Sequence, residues 1–433
     1  MQILERLFQL KAHDTDIRTE LLAGLTTFLT MAYIIFVNPS ILGEAGMPKD
    51  AVFVATCVAA ALGTFVMGFY ANYPIAMAPG MGLNAYFAFT VVLGMGIPWP
   101  AALGAVFISG CLFMVVSLVG IRELIINGIP RSLRLAITSG IGLFLGIIAL
   151  KSAGIVADSP ATLVTLGDLH QTPVVLATIG FFTIVALDYL KVRGAILIGI
   201  LLVTVLSFVI GGNTFHGIVS PPPSVAPTLF KLDLEGALSI GFLNVVLVFF
   251  LVELFDATGT LMGVANRAGL LTPGKMHRMK RALLADSGAI MAGAALGTSS
   301  TTAYIESASG VQAGGRTGLT AVTVGVLFLA CLFISPLAGA VPAYATAPAL
   351  LYVACLMLRE LVDLDWNDAT ESVPAVLTVL LMPLTYSIAN GIAFGFIAYA
   401  ALKLLTGRAR EVQVIVWVIA AVFLFKFFYL PGH

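Results

Sequence analysis

Long apolar runs, broken at intervals by Pro, Gly and charged residues, make up most of the 433-residue chain. A membrane-crossing helix needs about 20 mostly apolar residues. Runs of that order lie near 20–40, 51–71, 75–94, 99–120, 132–150, 173–190 and 194–211. A second set lies near 237–265, 280–296, 298–313, 317–335, 342–359, 373–389 and 391–406. The pattern predicts an all-α polytopic membrane fold with fourteen transmembrane segments. The last apolar stretch, 411–433, is long enough to be an extra span, or to lie in the interface with Lys426 reaching the headgroups.

The charges orient these segments. With a cytoplasmic N-terminus, the inner side holds Arg6, Lys11 and Arg18, then Arg122, Arg131 and Arg134, then Lys191 and Arg193. It continues with Arg267, Lys275, Arg278, Lys280, Arg281, Arg316, Arg359, Lys403, Arg408 and Arg410. The outer loops keep only Lys49, Lys151 and Lys231, the asymmetry that positive-inside topology demands. The two halves also repeat: Asn38 matches Asn266, Pro130 matches Pro342, and Pro173 matches Pro374. Seven spans is an odd number, so the second copy inserts upside down. Such 7+7 inverted repeats are an architecture of secondary carriers, which bind substrate near the midplane.

Two matching spans do not read as plain helices. The third, YPIAMAPGMGLNAYFAFTVV, carries Pro74, Pro79, Gly80 and Gly82; the tenth contains GTSSTTAYIESASG, residues 297–310. Proline breaks helices, and Ser, Thr and Tyr suit extended backbone, which is tolerated at membrane depth only inside protein or along a cavity. A short extended stretch followed by a half-helix is expected in each, with free N–H groups for a polar ligand.

Four acids fall within the apolar second half: Glu253, Asp256, Asp286 and Glu306. Buried acids in membranes are costly and usually functional, and a carboxyl that takes and releases a proton is what a proton-coupled carrier requires. Glu253 and Asp256, three apart, share a helix face with Thr258 and Thr260 nearby. Glu306 follows the extended Ser/Thr stretch, and Asn84 holds the comparable place in the first half. With Thr302 and the aromatic choices Tyr86, Phe87, Tyr304 and Phe255, the set suits a flat, neutral ligand with several hydrogen-bonding groups. Asp286, close after Arg278, Lys280 and Arg281, reads as an interfacial ion pair. The DLDWNDATE segment, with Asp363, Asp365, Asp368 and Glu371, reads as a solvated cytoplasmic connection, and Asp188 as a helix-end charge beside Lys191.

Composition sharpens this picture. The chain is 59% hydrophobic and 10% charged, with 22 basic and 22 acidic residues, so a soluble enzyme is excluded and no net charge points to nucleic acid. Cys57, Cys111, Cys331 and Cys355 are scattered without metal spacing, and neither a metal nor another cofactor is called for. Residues 1–20 lack a signal-peptide pattern, and no GxxxxGK[ST] loop marks a primary pump.

The segments TTFLTMAYIIFVNP (26–39), APGMGLNAYFAF (78–89), VELFDATGTLMG (252–263) and GTSSTTAYIESASGV (297–311) resemble the nucleobase–cation symporter-2 family, in its purine permease branch for adenine, guanine or hypoxanthine. The resemblance implies core and gate domains and a homodimer, with short antiparallel strands in spans three and ten. The core would comprise 20–120 and 236–340, the gate 121–235 and 341–410, with 411–433 as the tail. It implies purine import by proton symport across the cell (inner) membrane, and no enzyme activity. The base would be held by a span-eight acid, Glu253 or Asp256, and by Glu306, with the same three acids as candidates for proton coupling. Uracil-type members carry His four residues after their acid; Ala257 stands there instead. APGMGLN is similar to hypoxanthine/guanine carriers, whereas LRLAITSGIGLF and GIVSPPPSV are similar to adenine carriers. The rival expectations are an anion transporter of the same fold and a membrane-embedded enzyme.

Overall fold

Within a bilayer every backbone polar group needs an internal partner, and the apolar runs meet that demand as helices. The computed structural model describes residues 2–120, 128–210, 217–239, 245–268, 271–272, 275–276 and 278–429. Arg122 and His433 lie outside the described residues, as do the side chains of Phe255, Asn266, Arg267 and Lys275. A short helix α1 (Gln2–Phe8) precedes the first span, which is split into α2 (Ile17–Met31) and α3 (Ile34–Glu44). Asp16 caps α2 by accepting from the Thr19 N–H at 2.9 Å. The second span is α4 (Lys49–Val66), extended by a wider π-turn to Ala71.

The third span is broken as the prolines require. Strand β1 (Met77–Pro79) leads through Gly80 into α5 (Met81–Ala85), which continues to Gly94 with π-helical winding. Next come α6 (Trp99–Val119), α7 (Arg131–Ser152), α8 (Thr172–Tyr189) and α9 (Ala195–Ile210). A hairpin of β2 (Val156–Ser159) and β3 (Leu163–Leu166) joins α7 to α8; it was not foreseen, although Val156, Val164 and Thr165 suit strands around a Ser159-Pro160 turn.

The second half starts with a separate short helix α10 (Leu234–Ser239), so the eighth span begins at Val246 rather than 237, as α11 (Val246–Arg267). A second small hairpin, β4 (Leu271–Thr272) with β5 (Lys275–Met276), leads toward α12 (Met279–Leu296). The tenth span is again broken, into β6 (Thr301–Ala303) and α13 (Ser307–Gln312). It is followed by α14 (Gly318–Ala330), α15 (Ser335–Ala340), α16 (Ala343–Leu358), α17 (Ala369–Leu384), α18 (Ile388–Leu405) and α19 (Val414–Tyr429).

Among the described residues nine helical stretches are long and apolar enough to cross a membrane, and four shorter apolar helices accompany them. Many large apolar side chains, such as Phe182, Val209 and Leu405, point outward, as a lipid-facing surface requires. The helices pack in two groups. In one, α6 lies on α12, α4 on α12 and α14, and α2 on α13 and α14. In the other, α7 lies on α16 and α17, α8 on α9 and α16, and α17 on α18. Small residues allow close approach: a Cβ on Gly318 would collide with the Gly68 carbonyl, and one on Gly310 with Thr27 and the Ala23 carbonyl.

Candidate functional site

The two broken spans meet. Strand β1 pairs antiparallel with β6, with Met77 opposite Ala303, Ala78 opposite Thr302 and Pro79 opposite Thr301. The ladder is lengthened at both ends, by Gly80 N–H donating to the Ser300 carbonyl at 2.9 Å and Tyr304 N–H to the Ala76 carbonyl at 3.0 Å. The remaining backbone groups find side chains. Thr64 Oγ1 accepts from Met77 N–H at 2.9 Å and Ser307 Oγ accepts from Ala76 N–H at 3.0 Å. Extended backbone is therefore satisfied deep in the protein, and Pro79, which has no N–H, sits at the end of its strand.

The candidate acids gather around this crossing but face different neighbours. Glu306, half-buried just after β6, accepts a 2.6 Å hydrogen bond at Oε1 from the hydroxyl of Tyr33. Tyr33 lies at the break between α2 and α3, so it joins the first span to the tenth. Asp256 lies on α11 with many protein atoms around it, yet its side chain is exposed. Its Oδ2 approaches Gly80, where an added Cβ would stand 3.7 Å away and 3.1 Å from Thr302 Cγ2. Both Asp286 and Glu306 are near enough to act on Asp256 electrostatically. Glu253, one turn earlier, is fully buried; its Oε2 accepts from Ser109 Oγ on α6 at 2.5 Å, and Ser300 lies beside it. The sequence puts the two acids on one helix face; the fold leaves one exposed and buries the other.

Asp286 departs from the sequence reading. It is fully buried rather than interfacial, and its Oδ1 accepts from Thr302 Oγ1 and from Ala303 N–H, both at 3.0 Å. No salt bridge joins it to Arg278, Lys280 or Arg281 among the described residues. It holds β6 in place, one turn after the basic residues that suggested an ion pair.

The other candidates fall into two kinds. Asn84 on α5 is fully buried, and neither its amide oxygen nor its nitrogen has a hydrogen-bond partner among the described residues. A buried, unsatisfied amide is costly unless something else fills the role. By contrast the Tyr304 hydroxyl donates to the Pro79 carbonyl at 2.6 Å, Thr258 Oγ1 donates to the Leu254 carbonyl at 2.5 Å, and Thr302 serves Asp286. Tyr86 is buried edge-on against Phe249 with ring centres 4.8 Å apart. These side chains form walls. Sequence reasoning missed Tyr33 and Ser109; a lone Tyr in the middle of span one, in MAYIIF, was the available signal for the first. Ser109, in ISGC of span four, carried none.

The half-helices differ in what they offer. The first turn of the stretch starting at Met81 has free N–H groups, as any helix start does. In the second half α13 is only six residues long, and its approach is closed by turns such as Ser307 N–H to the Tyr304 carbonyl at 3.2 Å and Ser309 N–H to the Glu306 carbonyl at 2.9 Å. The polar groups offered there are side chains rather than backbone amides.

The DLDWNDATE segment is more ordered than a solvated connection. Arg131 pairs with Asp363, Arg408 with Asp368, and the fully buried Lys403 with both Glu371 at 2.8 Å and Glu411 at 3.1 Å. Arg408 holds the Asp368 carboxyl well below the usual carboxylate range, with Thr370 adding hydrogen bonds. No group of metal-ligating side chains occurs among the described residues.

Comparison with known proteins agrees with the geometry. The profile of the family described as "Permease family" matches residues 18–394. The chain is 50% identical over 432 residues to the adenine permease AdeP of Escherichia coli, covering 100% of this chain and 97% of that protein. It is 47% identical over 439 residues to the guanine/hypoxanthine permease PbuG of Bacillus subtilis, covering 99% and 100%. Among solved structures, the transmembrane domain of the cyanobacterial bicarbonate transporter BicA superposes with a TM-score of 0.63 at 17% identity, covering 88% of this chain and 97% of that one. At that identity the likeness concerns the fold, which is the inverted-repeat transporter architecture. The chain is therefore a multi-pass membrane protein of the nucleobase–cation symporter-2 permease family, and a transporter rather than an enzyme.

Proposed function

We propose that the protein imports purine nucleobases (adenine, guanine or hypoxanthine) across the cell (inner) membrane by proton symport. The observation that carries this reading is Asp256 beside Gly80 and within electrostatic reach of Glu306 at the β1–β6 crossing; Asn84, one turn beyond Gly80, adds an amide with no hydrogen-bond partner among the described residues. Purine bases present ring and exocyclic N–H donors beside ring-nitrogen acceptors. Two carboxyl groups and one amide match that alternation, and the rings of Tyr86 and Tyr304 provide flat walls. The relatives that are purine permeases are similar over their whole length, which supports the substrate class.

Between the two span-eight acids, Asp256 is the substrate contact, since it is exposed beside Gly80 and near Glu306, whereas Glu253 is taken up by Ser109. Glu253, Asp256 and Glu306 are the groups available to carry the proton. One inward proton supplies about 2.3 kcal/mol per 100 mV of membrane potential, enough to concentrate a neutral base more than tenfold. Thr258 and Thr302 shape the pocket through their own hydrogen bonds. The two packing groups of helices support a division into a core (20–120 with 236–340) and a gate (121–235 with 341–410). The N-terminus lies in the cytoplasm by the distribution of Lys and Arg, and the working unit is a homodimer. An anionic substrate such as the bicarbonate named for BicA fits less well, because the crossing presents carboxylates.

Uptake of labelled adenine, guanine and hypoxanthine, with and without an uncoupler, tests the reading. Loss of uptake with the uncoupler and in Glu306→Ala is expected. Full activity in Glu306→Ala contradicts the site, and uptake indifferent to the uncoupler contradicts the coupling.

A further inference from the structure

The N-terminal residues form a built groove that the transport site does not use. Helix α1 folds back on the start of the first span through two residues with left-handed backbone, Gln9 (φ 55°) and Asp14 (φ 49°). It is held from below. Phe8 and Leu10 are buried, the Phe8 carbonyl accepts from Asn72 Nδ2 at 3.1 Å, and the Phe8 ring lies 5.8 Å from that of Phe69. Between this segment and α2 runs a cavity of about 1000 Å³.

The groove is lined by Arg6, Lys11 and Arg18, all exposed and with no salt bridge among the described residues. Glu5 and Asp16 also line it, each turning an oxygen onto backbone: Glu5 Oε1 accepts from Lys11 N–H at 3.2 Å, and Asp16 Oδ1 from Thr19 N–H, with Arg18 near enough to act on Asp16. Its apolar lining includes Leu10 and the exposed Leu21 and Leu22. Leu25, one turn further along α2, extends it at 42% exposure. Exposed leucines at the start of a membrane span face acyl chains, and Arg and Lys beside them stand at headgroup depth.

We infer that this groove binds one anionic phospholipid, with its phosphate on Arg6, Lys11 and Arg18 and an acyl chain along Leu21, Leu22 and Leu25. Three exposed cations against two carboxylates, one of them Asp16 near Arg18, leave a net positive groove, and its leucines continue along the membrane span; these match the two halves of such a molecule. Lipid binding here would brace α1 against the first span, whose central break supplies Tyr33.

Native mass spectrometry of the delipidated full-length protein tests this, with phosphatidylglycerol, phosphatidylcholine and inorganic phosphate added in separate arms. Phosphatidylglycerol should bind in preference to phosphatidylcholine. Its apparent affinity should weaken by at least about tenfold in Arg6→Gln/Lys11→Gln/Arg18→Gln. The charge-preserving Arg6→Lys/Lys11→Arg/Arg18→Lys should retain it, and Leu22→Asn alone should weaken it, which keeps the test decisive if the triple variant folds poorly. Equal binding of the two lipids overturns the proposal, as does unchanged binding in Leu22→Asn. Inorganic phosphate that displaces the lipid at equal concentration overturns it too, since the groove would then be an ion site.

Discussion

Replacing Tyr33 by Phe removes one oxygen atom from the protein and nothing else of its shape. That oxygen donates the 2.6 Å hydrogen bond to Glu306 Oε1, across 273 positions of sequence. A hydrogen bond to a carboxyl group contributes about 1 kcal/mol when both partners are neutral and up to about 3 kcal/mol when the acceptor is charged. Glu306 is half-buried, so water can replace the phenol, which places the loss toward the lower end. A purine that depends on a fixed Glu306 should bind about five- to tenfold more weakly. The assay is adenine binding by calorimetry on purified protein, for Tyr33→Phe, Glu306→Gln and the double variant. The account predicts a coupling of about 1 kcal/mol between the two positions. Additive effects, or an affinity for Tyr33→Phe within twofold of the parent, would refute the claim that Tyr33 acts through Glu306.

Asp286→Ala leaves Thr302 Oγ1 and Ala303 N–H without their acceptor, at about 1–3 kcal/mol each; melting temperature and adenine affinity should fall together, while Asp286→Asn, which still offers an oxygen, should recover most of both. Glu20 is fully buried and accepts from Arg316 N–H at 2.8 Å, Thr317 N–H at 3.2 Å, Thr320 N–H at 3.1 Å and Thr320 Oγ1 at 2.6 Å. Glu20→Ala should cost several kcal/mol and remove most folded protein from a size-exclusion profile. The depressed Asp368 carboxyl contributes stability that is complete above its unfolded value near 4 and is lost as pH falls toward its lower folded value. Arg408→Gln should therefore melt earlier than the parent at pH 6, with the gap closing as pH drops below about 4 in a thermal scan.

Much of this was legible because membrane segments announce themselves. The apolar runs located the spans, and prolines 74 and 79 with the Ser/Thr run at 298–302 located the two breaks whose strands pair. What stayed hidden was partnership over long separations. Nothing local to Asp286 says that it holds a strand sixteen residues later, and its basic neighbours argued for a different role. Glu253 and Asp256 look equivalent at three-residue spacing, and only the packing of α6 against α11, which brings Ser109 to Glu253, separates them. The DLDWNDATE segment reads as solvated because its counter-ions, Arg131, Lys403 and Arg408, come from distant parts of the chain. Side-chain chemistry was visible in the sequence; which side chains satisfy one another was a property of the fold.

The central claim is that a proton gradient drives a purine through the crossing of β1 and β6. Its most direct measurement is uptake of labelled adenine into proteoliposomes with an acidic exterior and an inside-negative potential. The account predicts accumulation above the external concentration, collapsing when an uncoupler is added and absent in Glu306→Ala. Equilibration to equal concentrations on both sides, unchanged by the uncoupler, would contradict it.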